Sequence, residues 1–444
     1  MRNSAIARLV VIGALTIGLL VPLLWVLNLV SERAARRDDA VAEVGATWGG
    51  PQVIGGPILS VPYTVVWTDN VGRLQRSTFI AQFLPHDLTI DGDVATELRR
   101  RGIFEVTVYR SKLKIAGRFV RPEATWTRPA VERVAWDQAS IHVGISDSKG
   151  LTRRASLVWR GQPESFAGGT ADVGLFHTGI HAAVPSLEDV APGTELPFEF
   201  TIELNGTRDL RFLPTAEETT VAVTSPWPHP SFAGAALPVT RDVSGTGFSA
   251  RWRLQDFGRA YPAHWTTEHT DNAQLANQAA ESAFGLSFIQ PVDIYQQAER
   301  AVKYAVLFIL LTFLVFFLWE VFSAALLHPV QYVFVGLAMC VFYLLLVSFS
   351  EHVGFDAAYL MSSAATLLLI AGYARAVLGG VRQGASVAAA LTTLYGFLYL
   401  LLRLEDYALL AGSVGVLLVL ALVMFVTRRM NWYELRLGRA TPES

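Results

Sequence analysis

The apolar residues of this 444-residue chain gather near its two ends, with a polar, alternating stretch between them. Leu9 to Val30 is a predominantly apolar run of about 22 residues, enough at 1.5 Å per residue to cross the hydrocarbon core of a bilayer. A removable secretory signal has an apolar stretch of roughly 7 to 15 residues and a small-residue cleavage site. Here the charged segment Ser31-Glu-Arg-Ala-Ala-Arg-Arg37 follows directly, which predicts an uncleaved anchor. Five further runs come late: Tyr304 to Phe322, Val330 to Phe349, Ala357 to Ala374, Ala385 to Leu402 and Tyr407 to Val426. Their separators are short, so successive spans are expected to be antiparallel neighbours.

From Arg33 to about Ala298 no run reaches spanning length, and strand-like alternation takes over. It is clearest in Phe104 to Tyr109, Leu113 to Phe119, Phe198 to Leu204, Thr219 to Thr224 and Phe248 to Leu254. Turn signals recur at Trp48-Gly-Gly-Pro51, Ile54-Gly-Gly-Pro57, Ile90-Asp-Gly-Asp93, Gly168-Gly169 and Leu204-Asn-Gly206. Short strands with Gly and Pro between them predict an antiparallel sandwich or an open α+β body. The polar stretch Thr270 to Ser282, with Pro291 to Arg300 after it, predicts a short surface helix feeding the next span.

The expected fold is therefore a polytopic α-helical membrane protein with six transmembrane helices, one plus five, and a large β-rich periplasmic domain inserted between them. The boundaries read as an N-terminus and anchor at 1–32, the β-rich domain at 33–300, a five-helix bundle at 301–427 and a tail at 428–444. An N-terminus in the cytoplasm puts Arg375, Arg382, Arg428, Arg429, Arg436 and Arg439 on the cytoplasmic side and leaves only Arg403 in the short outer loops, as the positive-inside rule requires. Arg300 and Lys303 fall outside in this arrangement, but long domains translocate largely regardless of charge.

Composition agrees with lipid as the solvent: 52% of residues are hydrophobic and only 17% charged, against about 25% in ordinary soluble domains. A net charge of −2 and no basic tract argue against a nucleic-acid partner. Cys340 is the only cysteine, which excludes an intramolecular disulfide and thiolate metal spacings.

The stretch Leu327-His-Pro-Val-Gln-Tyr-Val-Phe-Val-Gly336, continuing through Val341-Phe-Tyr-Leu-Leu-Leu346 into Ser350-Glu-His-Val-Gly-Phe355, resembles the CreD family of inner-membrane proteins. Thr224-Ser-Pro-Trp-Pro-His-Pro-Ser-Phe232, Gly247 to Trp252, Gly56-Pro57 with Val61-Pro62, and Phe425-Val-Thr-Arg428 with Trp432-Tyr433 carry the likeness over nearly the whole chain in the same order. The resemblance implies a role in cell-envelope integrity or envelope stress, colicin tolerance, and the regulon of a two-component system responsive to carbon source and β-lactams. It implies no reaction.

Charged groups in or near apolar spans are the candidate functional residues, because a charge at the bilayer centre costs about 2.5 to 3.5 kcal/mol on insertion scales. Glu320 lies about two turns before His328; the two could pair or exchange a proton, or Glu320 could snorkel to the interface. Glu351 and His352 lie about 30 Å away at the other end of the following span, either as the far end of a path or as interface anchors. Arg403, Glu405 and Asp406 read as a locally salt-bridged turn. Pro226-Trp-Pro-His-Pro230 offers Trp227 and His229 as a rigid recognition loop, or as a corner that packs the indole on the sheet.

Two enzyme-like patterns read as accidental. Ser146-Asp-Ser-Lys149 matches a serine-hydrolase spacing, but its surroundings predict a hairpin turn and not the helix start that chemistry needs. His177 and His181 are spaced for a metal only on a helix, which Thr178-Gly179 disfavours. There is no phosphate-binding loop, dinucleotide pattern or His-Glu-x-x-His. No catalytic residue, metal or cofactor is expected. The partners expected are the bilayer and an unidentified periplasmic or envelope component bound by the exported domain. A transporter-like or flippase-like bundle is the alternative, and a periplasmic-facing hydrolase a weaker one.

Overall fold

The computed structural model describes residues 5–123, 126–127, 130–170, 173–290, 293–323, 327–404 and 407–428. The chain divides into two compact units, one made of Met1–Arg37 with Val292–Ser444 and the other of Asp38–Pro291.

Helices α1 (Ala5–Gly18) and α2 (Leu20–Trp48) contain the first span. The irregularity between them at Leu19 falls where Pro22 has no N–H to offer the Gly18 carbonyl. The helix does not stop at the charged segment. Ala, Glu and Arg between Ser31 and Ala42 are strong helix formers, Glu32 pairs with Arg36 at 2.6 Å across one turn, and α2 runs on to Trp48. The division between units accordingly falls after Arg37, inside a continuous helix.

The second unit is built from β1 (Gln52–Thr68), β2 (Leu74–Phe83), β3 (Asp87–Arg101), β4 (Phe104–Val120), β5 (Val131–Val134), β6 (Ser140–Ile145), β7 (Ser156–Trp159), β8 (Gln162–Ser165) and β9 (Ala167–Gly168). It continues with β10 (Gly179–Ala183), β11 (Glu195–Thr207), β12 (Asp209–Phe212), β13 (Glu218–Ser225), β14 (Pro230–Gly234), β15 (Thr240–Ser244), β16 (Gly247–Gln255), β17 (His264–Thr266), α3 (Asn272–Glu281) and β18 (Phe284–Phe288). One sheet runs β14-β18-β12-β1-β6-β10-β9, with β2 and β5 on β1 and β17 on β2; the other runs β15-β16-β13-β3-β4-β11-β7-β8. Most neighbours are antiparallel, but β1 with β12 and β3 with β13 are parallel, so both sheets are mixed.

The two sheets share one core, where Leu59, Ile141 and Ile180 of the first meet Ile90, Ile115, Ile202 and Val221 of the second. The other face of the first sheet is covered as well: Ile58 and Leu213 pack with Leu275 and Ala279 of α3 and with Tyr261 and Trp265. Strand β1 is thus buried on both faces, which is why residues 54–61 are all buried and do not alternate. Ile54 and Leu59 face the same core despite their odd spacing because the register against β6 shifts between Gly55 and Ile58.

Three of the glycine turn signals therefore lie inside strands: Ile54 to Pro57 in β1, Ile90 to Asp93 in β3 and Leu204 to Gly206 in β11. Close packing explains the last, since a Cβ on Gly206 would stand 2.3 Å from the Tyr109 ring. Phe104 to Phe119 is likewise one strand, held along its length between β3 and β11. Ser146 to Lys149 does not close a hairpin; it follows β6 of the first sheet and leads by a short 3-10 turn toward β7 of the second.

Helix α3 is capped by Asp271 and returns to β18, so it does not feed a span. The next span is α4 (Ile294–Ser323), one continuous helix whose first N–H groups, those of Tyr295 and Gln296, are taken by the Asp293 carboxylate at 3.0 and 3.4 Å. Pro291 is outside the described residues. Helices α5 (Pro329–Val353), α6 (Phe355–Val377), α7 (Val381–Arg403) and α8 (Ala408–Thr427) complete the first unit, giving six helices long and apolar enough to cross a membrane among the described residues. Helix α8 buries no side chain in the protein, as expected where the lipid itself is the partner.

Candidate functional site

The first unit collects its charges at two stations. At one end Glu320, near the end of α4, is fully buried. Its carboxylate forms an ion pair with Arg8 of α1 and accepts the Leu327 backbone N–H at 3.1 Å and the Tyr332 hydroxyl of α5 at 3.1 Å. Arg8 also donates to the Leu327 carbonyl at 3.4 Å. A carboxylate taken out of water is tolerable only when a countercharge and hydrogen bonds fill its lone pairs, and all are supplied here. Glu320 therefore neither pairs with His328 nor snorkels; its partner comes from the opposite end of the chain.

His328 has a different task. Its Nδ1 accepts the Val330 N–H at 3.4 Å, its own N–H is donated to Gln331 Oε1 at 2.9 Å, and Pro329 occupies the first helical position. His-Pro-x-Gln is thus a helix-start device for α5.

The second station lies about 28 Å along α5 from Tyr332, close to the thickness of a hydrocarbon core. Glu351 accepts the Tyr295 hydroxyl at 3.0 Å and faces Arg33 at 3.7 Å. Arg37, one turn on from Arg33 along α2, pairs at 2.6 Å with Asp293, the residue that caps α4. His352 is exposed in the last turn of α5. Arg403 pairs with Asp356 at the start of α6, with Tyr399 also donating to Asp356 at 3.2 Å, so it is tied to a neighbouring helix end. Glu405 and Asp406 are outside the described residues.

In the second unit, the Trp227 indole N–H is shared between the carbonyls of His229 and Ile289, both at 3.1 Å, and the ring packs against the shared core. His229 itself is exposed at the tip of the corner that Trp227 braces. The Ser146 hydroxyl donates to the Pro51 carbonyl at 2.8 Å and accepts the Val53 N–H at 2.9 Å, which commits it to the backbone of β1. His177 is exposed. His181 stands opposite His142 in the β10–β6 register with the rings stacked at 5.8 Å. His142 is buried, with its nitrogens 2.9 Å from the Ser140 and Thr170 hydroxyls, and burial together with the neighbouring His181 pulls its pKa down to about 4. Among the described residues no group of three metal-ligating side chains occurs.

The sequence reading did not single out Arg33, Arg37, Asp293 and Tyr295 as partners, or His142. The four-residue spacing of Arg33 and Arg37 was the one available signal, because on a continued helix it places both on one face.

The family model for inner membrane protein CreD matches residues 4–433. The chain belongs to the CreD family. Inner membrane protein CreD of Escherichia coli (strain K12) is 33% identical over 425 residues, covering 95% of this chain and 92% of the relative. The family and the six apolar helices together make this a multi-pass inner-membrane protein. The His-Pro-x-Gln-Tyr stretch that resembles the CreD family serves, in this chain, to start α5 and deliver Tyr332 to Glu320.

Proposed function

We propose that the chain supports the integrity of the cell envelope through its β-rich unit, exported to the periplasm, which binds an envelope component while the helical unit anchors it and follows its state. The observation that carries this reading is helix α2: it starts in the membrane unit, is held there by Arg33 to Glu351 and Arg37 to Asp293, and continues without a break into the β-rich unit. A force on the β-rich unit would reach the bundle through that helix. The arginines at Arg375, Arg382 and Arg428, against the single Arg403 among the outer loops, support cytoplasmic termini. The exposed tip at His229, on a corner stiffened by prolines and braced by Trp227, supports a contact surface there.

A transport reading rests on Glu320 as a carrier of charge. The three donors already committed to that carboxylate favour a structural role for it.

The test places a photo-crosslinking amino acid at His229 in the full-length protein in living cells, with Leu360, exposed on α6, as the control position. A discrete envelope adduct from position 229 alone supports the proposal. Equal adducts from both positions, or none from 229, would count against it, as would an alkaline phosphatase fusion at the same tip that stays inactive.

A further inference from the structure

Strands β3, β13, β16 and β15 carry Asp93, Thr224, Ser249 and Asp242 as direct cross-strand partners, one residue from each. Partners in register point to the same face of a sheet, and all four are exposed, so they form one row across the outer face of the second sheet. The row borders an open groove of about 420 Å³, within the size range of small-ligand sites, and Pro226 and Phe248 add apolar surface to its lining. Ser225, also in the lining, accepts the Trp227 N–H at 3.3 Å, which joins the groove to the corner that carries His229.

The chemistry of the row narrows what it can hold. Neither Asp93 nor Asp242 makes an ion pair among the described residues, so two carboxylates remain available. They stand three strand spacings apart, about 14 Å, too far to close on one metal ion. Between them lie the hydroxyls of Ser249 and of Thr224, which donates to the Gly92 carbonyl at 3.4 Å and so offers its lone pairs. Strands β13 and β16 are each paired on both sides, so the floor has no free backbone edge for an extended peptide. What it offers is side-chain oxygen: carboxylates that only accept, and hydroxyls that donate and accept. Sugar hydroxyls also do both, and the C–H faces of a sugar ring suit Pro226 and Phe248. Two like charges disfavour an anionic glycan.

We propose that this groove binds an oligosaccharide of neutral or amine-bearing sugars, with Asp93 and Asp242 taking hydroxyl or ammonium hydrogens at its two ends and Thr224 and Ser249 the hydroxyls between. Such a glycan is the envelope component of the function proposed above, on which the assignment rests.

The experiment uses the full-length protein in lipid nanodiscs and three trisaccharide probes, one of glucosamine, one of N-acetylglucosamine and one of galacturonic acid, followed by saturation-transfer NMR and titration calorimetry. The two non-anionic probes are expected to bind with a Kd on the order of 1 mM or tighter, and the anionic one not to bind. Asp93→Asn and Asp242→Asn should each weaken binding about tenfold at an unchanged thermal midpoint, because each removes a charged acceptor at an exposed position. No binding of either non-anionic probe, equal binding of the anionic one, or full affinity in both variants would overturn the assignment. So would a preference for trilysine over the N-acetylglucosamine trimer, which would give the row to basic peptides. The two readings fail separately: an envelope adduct from position 229 without sugar binding removes the glycan and keeps the contact surface, whereas sugar binding that needs Asp93 and Asp242 without an adduct removes the contact at His229 and keeps the groove.

Discussion

Arg8 and Glu320 form an ion pair in which the carboxylate is wholly removed from solvent, joining the first span to the end of the second. Removing one partner strands a buried charge, whereas removing both removes the problem. Arg8→Met is expected to cost roughly 3 to 5 kcal/mol, and Arg8→Met with Glu320→Leu to recover most of it. Unfolding midpoints of the purified single and double variants measure this. A double variant no more stable than Arg8→Met would show that the pair is not what the single change disturbs.

The pairs at the other station are partly exposed, so they are expected to contribute little stability each. A double-mutant cycle on Arg37→Ala and Asp293→Ala should return a coupling of about 1 kcal/mol or less. The envelope phenotype of Arg33→Glu with Arg37→Glu, which sets like charges against Glu351 and Asp293, should nonetheless be severe at normal protein level. Wild-type function at that level would remove α2 as the link.

His142 makes the β-rich unit sensitive to acid. Its folded pKa of about 4 lies below the ordinary 6.5, so the native state keeps the ring neutral while the unfolded chain takes up a proton. The associated stability is full above pH 6.5, is lost as pH falls from there toward 4, and changes no further below, a total of roughly 3 kcal/mol. Denaturant midpoints followed by tryptophan fluorescence should fall over that window, and His142→Gln should flatten this part of the slope. An unchanged slope in the variant would place the acid sensitivity elsewhere.

Gly206 sits beneath the Tyr109 ring with no room for a Cβ. Gly206→Ala is expected to cost about 1 to 3 kcal/mol by overpacking, and much less in a Tyr109→Leu background where the ring is gone. Denaturation of the four proteins gives the answer; equal costs in the two backgrounds would mean that the backbone, and not the ring, demands the glycine.

Trp227 and His229 should separate by readout. Trp227→Phe deletes a shared N–H bond and is expected to cost about 1 kcal/mol of stability. His229→Ala should leave stability within about 0.5 kcal/mol, as exposed positions do, while reducing capture of an envelope partner. Loss of stability in His229→Ala would make the tip a structural element instead.

The spans were legible because a helix in lipid must be long and apolar regardless of what surrounds it. The first predicted run spans α1 and α2 across the irregularity at Leu19 and the later five match α4 to α8 to within one residue at α8, although α2 and α4 extend well beyond theirs on the water side, where hydropathy gives no signal. Strand alternation located β4, β11, β13 and β16, whose outer faces meet water, and failed at β1, which is covered on both faces. Glycines at Gly92 and Gly206 read as turns because a missing side chain looks the same in sequence whether the chain bends there or a neighbour needs the space.

By itself, then, the amino-acid order determined that this protein has six apolar spans around a β-rich insertion, and which family it resembles, because local hydropathy and motif text are carried by neighbouring residues. Only the tertiary structure decided that Glu320 answers to Arg8, that Glu351 shares its station with Arg33 and Tyr295, and that β1 and β3 take parallel partners from far along the chain. Those contacts join residues remote in sequence, and a charge or a strand edge carries no local mark of which distant partner will satisfy it.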